Sequence, residues 1–239
     1  MARLFVLHLA IVIYYIIAWR GVIQIRFENV TDKRLLRLES LRGRFLTNWN
    51  FGMQTAMFFG YLVHDIIRLF GNTVHERSSF KKKLDFFFCS ISAPLSIFVS
   101  VVFWGLYLFN RELVFPTIID KIMPSWVNHA LHTIIVLNVL LHMYVDRQPS
   151  PTLRHSMYAF TAIKLCYFIC LYATYYEKGI WVYPFLEKLH EPLRILSLLV
   201  LFGFSLLCVT AIHYTNNWLY GLVRKPVSQR VPEKKKKLG

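Results

Sequence analysis

The chain is short of charge, and above all of negative charge. Only 17% of its 239 residues are charged, against roughly 25% in a typical soluble domain. Thirteen residues are Asp or Glu and 28 are Lys or Arg, which leaves a formal net charge of +15. The 56% hydrophobic content excludes a disordered chain or a basic nucleic-acid-binding tail, because those are poor in apolar residues. A chain that is both basic and apolar is typical of a membrane protein whose charges lie in its loops.

Cysteine is also scarce, and its placement does not suit disulfides. Cys89, Cys166, Cys170 and Cys208 all lie within apolar runs, whereas a disulfide framework needs exposed pairs in an oxidising compartment. Cys166 and Cys170 are one helical turn apart, a spacing that indicates metal ligands only weakly and favours buried packing. We therefore expect no cofactor and no metal.

The sequence lacks any long stretch outside its apolar runs. The longest between two runs has 25 residues, from Arg20 to Arg44, which leaves no room for a soluble domain. No internal repeat indicates a transporter built from duplicated halves. Any chemistry must therefore take place in the bilayer or at its surface.

Six apolar runs predict six transmembrane helices, near residues 4–19, 45–64, 86–110, 122–145, 155–176 and 195–215. A helix needs about 20 residues to cross a hydrocarbon core, and the first run has only 16. The predicted fold is an all-α polytopic bundle of six helices in a single domain, residues 1–223, followed by a basic cytosolic tail, residues 224–239. Five spans is the alternative if the first run does not cross.

The distribution of Lys and Arg predicts the orientation of the chain. With the N-terminus in the cytosol, most basic residues lie on the cytosolic side, although the basic first loop breaks the rule. Lys236 and Lys237 resemble a dilysine retrieval signal, which predicts the endoplasmic reticulum, with the plasma membrane as the alternative. A polybasic segment beside anionic lipid is a competing interpretation of the same residues.

The fourth run carries an unusual group of polar residues. Asn128, His129 and His132 share one face of a helix at spacings of three and four residues. Hydrogen bonding between helices would explain a single histidine, but polar groups inside a membrane are expensive and mark functional sites. No second paired His box exists, so a metal-dependent lipid hydrolase is less favoured than a site without metal.

A hydroxyl in the second run lies at a matching depth. Thr47 begins a polar stripe with Asn50 and Gln54, and spans two and four start from the same side of the membrane. Thr47 could therefore meet a histidine of the fourth run, which would activate it as a nucleophile. Asn50, Gln54, Asn128 and His129 are candidates to bind substrate or to stabilise an oxyanion.

A carboxylate partner for the histidine is harder to find. Asp65 follows Thr47 by 18 residues, or about 27 Å of helix, and so lies at the opposite face of the membrane. Asp120 and Glu112 lie on the correct side, but a solvated loop position explains both. Lys164 lies midway along the fifth run and is therefore a charged residue inside the membrane. We expect it to have a partner or to face a cavity.

The motifs that carry these residues resemble the family of androgen-induced gene 1 protein and the androgen-dependent regulator of tissue factor pathway inhibitor. The resemblance spans about residues 44 to 188. Its motifs are Phe45-Leu46-Thr47, Phe103-Trp104, Asn128-His129-x-x-His132-Thr133 and Trp181-Val182-Tyr183-Pro184.

The resemblance implies a multi-pass membrane hydrolase of fatty acid esters of hydroxy fatty acids, with Thr47 as nucleophile and His132 as base. The expected partners are that ester and the lipid bilayer, and no nucleic acid; the oligomeric state is left open. A non-enzymatic transporter or regulatory scaffold is the alternative, in which Lys164, Asn138 and His142 would extend a polar path.

Overall fold

The computed structural model describes residues 2–25, 33–71 and 78–222. These residues are helical and contain no strand. The predicted basic tail, including Lys236 and Lys237, lies outside the described residues. The α-helices are α1 (Ala2–Ile23), α2 (Lys33–Ser40), α3 (Leu46–Phe70), α4 (Ser79–Phe87), α5 (Ala93–Asn110), α6 (Ser125–His129), α7 (Ile135–Val145), α8 (Leu153–Lys178), α9 (Pro184–Glu187) and α10 (Glu191–Gly221).

Two π-helical turns lie within longer helical rods. Phe88–Ser92 joins α4 to α5, and Ala130–Ile134 joins α6 to α7. The first turn ends two residues before Pro94, which has no N–H to donate and whose ring crowds the carbonyl of the preceding turn. The second turn contains no proline but contains His132, and π-helical turns are frequent at functional sites.

The predicted all-α polytopic class is confirmed. Five helical rods are long and apolar enough to cross a membrane, namely Ala2–Ile23, Ser79–Leu113, Ser125–Val145, Leu153–Lys178 and Glu191–Gly221. The first apolar run, which looked short for a crossing, is part of a helix of 22 residues.

The second predicted span, α3, is long enough to cross a membrane but is less apolar than the five rods. Its 25 residues cover about 37 Å. Asn48, Asn50 and Gln54 lower its hydropathy, and the last two are fully buried. The helix is therefore a polar member of the bundle, shielded by its neighbours, and the structure is consistent with five or six crossings.

The rod formed by α4 and α5 lies at the centre of the bundle. Of the residues in its apolar 18-residue segment, 67% are buried inside the protein, against 28% in the corresponding segments of α1, α8 and α10. The helix α5 contacts α3, α7 and α10, while α1 packs along α3. The outer helices present large apolar side chains outward, including Leu199, Val200 and Leu207 of α10, as a surface in contact with lipid requires.

A network of buried charges closes one end of the bundle, where α3 ends and α4 begins. The ammonium group of Lys81 donates to Asp85 and Asp146, each at 2.8 Å, and to the side-chain oxygen of Gln148 at 2.9 Å. Burial alone would raise the pKa of Asp146, but His142 and Lys81 lower it by more, so this pKa lies below its ordinary value.

The same end contains a chain of imidazoles. His8 Nδ1 donates to the Asp65 carboxylate at 2.6 Å, and His8 Nε2 lies 3.0 Å from His142 Nδ1. Asp65 thus lies at the opposite end of α3 from Thr47, as the sequence predicted. This network ties α1, α3, α4 and α7 together where their ends meet.

Removing the buried Lys81 ammonium should destabilise the protein, because two partly buried carboxylates then lose their shared counter-charge. We expect Lys81→Met to lower the free energy of unfolding by about 3 kcal/mol. Thermal unfolding of the detergent-solubilised protein, followed by tryptophan fluorescence, measures the effect. Lys82→Met, at the exposed neighbouring position, is the matched control and should unfold like the wild type. A Lys81→Met midpoint equal to that of the control would contradict the prediction.

Candidate functional site

The hydroxyl of Thr47 and the imidazole of His132 meet at the other end of the bundle. Thr47 is the second residue of α3, and His132 lies in the π-helical turn between α6 and α7. Thr47 Oγ1 is 3.3 Å from His132 Nε2. The structure therefore brings together a hydroxyl and an imidazole that the sequence places at the same depth in the membrane.

Asn128 orients the His132 ring. His132 Nδ1 lies 3.0 Å from the backbone oxygen of Asn128 and 2.8 Å from its side-chain oxygen. A carbonyl oxygen can only accept, so Nδ1 carries the proton and donates it. The lone pair of Nε2 then faces Thr47, which is the tautomer that a general base requires.

Two further contacts hold His132 in place. Its ring stacks on Phe103 with centroids 3.4 Å apart and planes inclined by 8°. The hydroxyl of Ser100 donates to the backbone oxygen of His132. Both partners belong to the central helix α5, so the imidazole is anchored to the most buried rod of the bundle.

Tyrosine hydroxyls cap the start of α3 next to Thr47. The Leu46 N–H donates to Tyr167 at 3.1 Å and to Tyr183 at 3.2 Å, and the Tyr167 hydroxyl donates to Tyr183 at 2.9 Å. With the Tyr167 hydrogen directed to Tyr183 and not to the backbone oxygen of Arg44 at 3.2 Å, Tyr183 accepts twice, and its own hydrogen has no acceptor among the described residues. Burial raises the pKa of Tyr183, so its phenol stays protonated and can donate.

The N–H of Thr47 is a second available donor. The first N–H groups of a helix have no partner within the helix, and the positive end of the helix dipole lies there. In the described part of the chain, the Leu46 N–H is capped by the tyrosines, whereas the Thr47 N–H has no partner. Two donors thus lie beside the Thr47 hydroxyl.

Two apolar lobes of one cavity meet at Thr47. The first has about 790 Å³ of empty space, including its open mouth, and the second about 630 Å³. Both lobes share the lining residues Thr47, Phe103, Val114 and Tyr183.

The two lobes extend in different directions from this junction. The first contains His132 and continues towards Leu38, Ile119 and Met123, near the end of the bundle. The second continues towards Lys164 and Leu198 on α8 and α10. Thr47 thus lies where the two lobes meet.

The other residues of the predicted polar stripe lie away from the cavity. Gln54 accepts from Tyr15 and donates to Ser96, and the side-chain oxygen of Asn50 accepts from Ser96 at 3.3 Å. Neither amide lines either lobe. Their geometry is that of buried hydrogen-bonding groups beneath the site.

His129, the other histidine of the motif, points outward. It is exposed, its Nδ1 lies 3.1 Å from Thr133 Oγ1, and its ring stacks on Trp104 at a centroid distance of 5.2 Å. The structure thus separates the two histidines that the sequence left as alternatives. His132, and not His129, faces the Thr47 hydroxyl.

The loop carboxylates do not contact either histidine. Asp120 pairs with Arg111 at 2.8 Å, and Glu112 accepts from the Thr117 N–H at 2.7 Å. Within residues 2–25, 33–71 and 78–222, no group of three or more His, Cys, Asp or Glu side chains is arranged to hold a metal ion. The third member beside His132 is therefore an amide, Asn128.

The roles of two tyrosines were not predicted from the sequence. Nothing in the sequence singles out Tyr167, and Tyr183 was named only as part of a family motif. The signal for Tyr183 was present in the Trp181-Val182-Tyr183-Pro184 motif, although nothing in that motif indicates a contact with α3.

Fold and site together define a polytopic membrane protein in which a half-buried threonine meets a buried histidine at a divided apolar cavity. The chain belongs to the FAR-17a/AIG1-like protein family, whose sequence profile matches residues 4–223. No solved structure matches the chain.

Curated relatives agree with this assignment. The chain is similar to human androgen-dependent TFPI-regulating protein, with 28% identity over 195 residues, 79% of this chain and 82% of the relative. It is 31% identical to the mouse protein of that name, over 77% of this chain and 80% of the relative. It is also 32% identical to human androgen-induced gene 1 protein, over 64% of this chain and 67% of the relative. These names refer to androgen and to TFPI, and neither names a reaction.

Proposed function

We propose that this protein is an intramembrane esterase that hydrolyses fatty acid esters of hydroxy fatty acids. The observation that carries the proposal is the Thr47 hydroxyl, 3.3 Å from an imidazole nitrogen whose lone pair faces it, at the junction of two apolar lobes. An ester that joins two acyl chains would place one chain in each lobe and its carbonyl carbon at Thr47. The resemblance to the family supports the same substrate class.

The reaction would proceed in two steps. His132 Nε2 takes the proton of Thr47, and Oγ1 attacks the ester carbonyl carbon. The protonated imidazole then gives this proton to the leaving oxygen, so the hydroxy fatty acid departs and the fatty acyl group remains esterified to Thr47. A water molecule gives a proton to His132 and attacks this acyl ester. The imidazolium then gives that proton to Thr47 Oγ1 as the fatty acid leaves, which restores both residues.

Two donors support the tetrahedral intermediate of each step. The Thr47 N–H lies at the positive end of α3, and the Tyr183 hydroxyl has a hydrogen without an acceptor among the described residues. Donors that are already in place cost no reorganisation when negative charge develops on the carbonyl oxygen. The apolar walls of both lobes increase the strength of these hydrogen bonds, because they exclude water.

The proposed location of the protein is the membrane of the endoplasmic reticulum. The protein is an integral membrane protein, and the pair Lys236 and Lys237 supports the endoplasmic reticulum. Retention of a tagged full-length protein there, lost in the Lys236→Ala/Lys237→Ala variant, would support this location.

Loss of either reacting group should abolish hydrolysis. We expect Thr47→Ala and His132→Ala to lower kcat/KM by at least about a thousandfold, measured with purified protein and a fatty acid ester of a hydroxy fatty acid. Thr47→Ser, which keeps a hydroxyl, should retain activity, and His129→Ala, the matched histidine control, should resemble the wild type.

A fluorophosphonate probe separates the esterase from a transporter or scaffold. An activated Thr47 should form a covalent adduct that Thr47→Ala lacks, detected by mass spectrometry of the peptide. Undiminished hydrolysis by a folded Thr47→Ala variant would refute the assignment.

Asn128 should act as a positioning residue for His132. Asn128→Leu removes the side-chain acceptor but leaves the backbone oxygen, so we expect kcat to fall about tenfold with little change in KM. Asn128→Asp keeps an acceptor for Nδ1 and should recover most of the lost rate. Equal losses in the two variants would show that the side-chain acceptor does not account for the role of this position.

Tyr183 should stabilise the oxyanion. Tyr183→Phe removes one hydroxyl and keeps the ring, so we expect a loss of about a hundredfold in kcat while KM changes little. Tyr175→Phe, a tyrosine stacked on Trp181, is the matched control and should leave kcat unchanged. A rise in KM alone would instead assign Tyr183 to ground-state binding.

A further inference from the structure

We propose that Lys164 binds the free carboxylate of the hydroxy fatty acid and so selects esters that carry an acid group. For the identity of the ligand, this inference rests on the proposed function. It also goes beyond it, because it assigns a recognition site to a residue that the reaction at Thr47 does not use.

Lys164 is a buried cation without an anionic partner. It is 4% exposed and lies near the middle of α8, between Leu153 and Lys178. Its ammonium group makes no hydrogen bond and no ion pair with the described residues. It lies instead over aromatic rings, 3.9 Å from the centroid of Phe98 and 5.9 Å from that of Phe168.

Lys81, the other buried lysine in the described residues, differs from Lys164 because its charge is neutralised by hydrogen-bonded partners. Lys81 contacts two carboxylates and an amide oxygen, all within 2.9 Å. An aromatic face attracts a cation, but it supplies no counter-charge. A buried charge is costly unless it is paired. Lys164 is therefore suited to bind an anionic group of a ligand.

Lys164 lines the second lobe of the cavity together with Phe98 and Phe168, the two rings beside its ammonium group. The other end of this lobe is Thr47, where Tyr167 caps α3. Lys164 precedes Tyr167 by three residues, so it lies on the same face of α8, about 4.5 Å deeper along the helix axis.

This arrangement assigns the two chains of the ester to the two lobes. The hydroxy fatty acid enters the second lobe with its carboxylate at Lys164, and its ester oxygen lies at Thr47. The fatty acyl chain occupies the first lobe, which continues past Ile119 and Met123. Simple esters and triacylglycerols carry no carboxylate, so they would leave Lys164 unpaired and bind more weakly.

The test compares a free-acid substrate with its methyl ester. In the wild type we expect KM for the free acid to be about tenfold lower than for the methyl ester, the effect of about 1.4 kcal/mol of binding. Lys164→Met should raise KM for the free acid to the value for the methyl ester, whose own hydrolysis should not change. Lys164→Arg keeps the charge and should keep the preference. Lys178→Met, at the exposed end of the same helix, is the matched control.

Binding to a non-hydrolysing protein distinguishes this inference from the proposed function. Affinities of the free acid and its methyl ester are measured for Thr47→Ala and for Thr47→Ala/Lys164→Met. The preference for the free acid should be present in the first variant and absent from the second, whether or not the wild type hydrolyses either compound. A wild type that binds but does not hydrolyse would overturn the esterase alone.

Three results would overturn the role of Lys164. One is a free-acid preference that persists in Lys164→Met, as binding of the carboxylate near Arg42 in the first lobe would produce. Another is equal affinity of the Thr47→Ala protein for acid and methyl ester. The last is a Lys164→Met variant that loses methyl ester hydrolysis as well, since that pattern indicates a structural role.

Discussion

The hydrocarbon core of a membrane offers no water to a polar side chain, so each polar group within this bundle must find its partner in the protein. That constraint explains why the polar residues are collected into networks. Lys81 and its carboxylates close one end, and Gln54 with Ser96 links α3 to the central helix α5. The outward faces are left to apolar residues, and the bundle is held together largely from within.

The same constraint makes the exceptions informative. At the Thr47 end, Asn128 satisfies one nitrogen of His132, and two tyrosines satisfy the Leu46 N–H. Three groups on residues that line the divided cavity have no such partner among the described residues: the Thr47 N–H, the Tyr183 hydrogen and the Lys164 ammonium. A substrate with an ester carbonyl and a carboxylate would supply the missing partners, which is the common basis of both proposals.

Parts of the site were predictable because they depend on distance along the chain. Counting spans placed Thr47 and a histidine of the fourth run at one depth, and four-residue spacing put Asn128 beside His132. The same arithmetic places Gln54 seven residues, or about 10 Å, below Thr47, although its shared face suggested a common site. The choice between His129 and His132 was not predictable, because both share a face and only packing against Trp104 and Phe103 separates them.

By itself the sequence determined the class of protein, the approximate spans and the depth of the reacting groups, because hydropathy and helical rise are local properties. Only the tertiary structure decided which imidazole nitrogen faces the hydroxyl, which tyrosines cap α3 and which cavity receives Lys164. Those features depend on how each helix is rotated against its neighbours. Leu46 and Tyr183, for example, are 137 residues apart in the chain and meet only because the bundle packs α3 and α8 beneath the same loop.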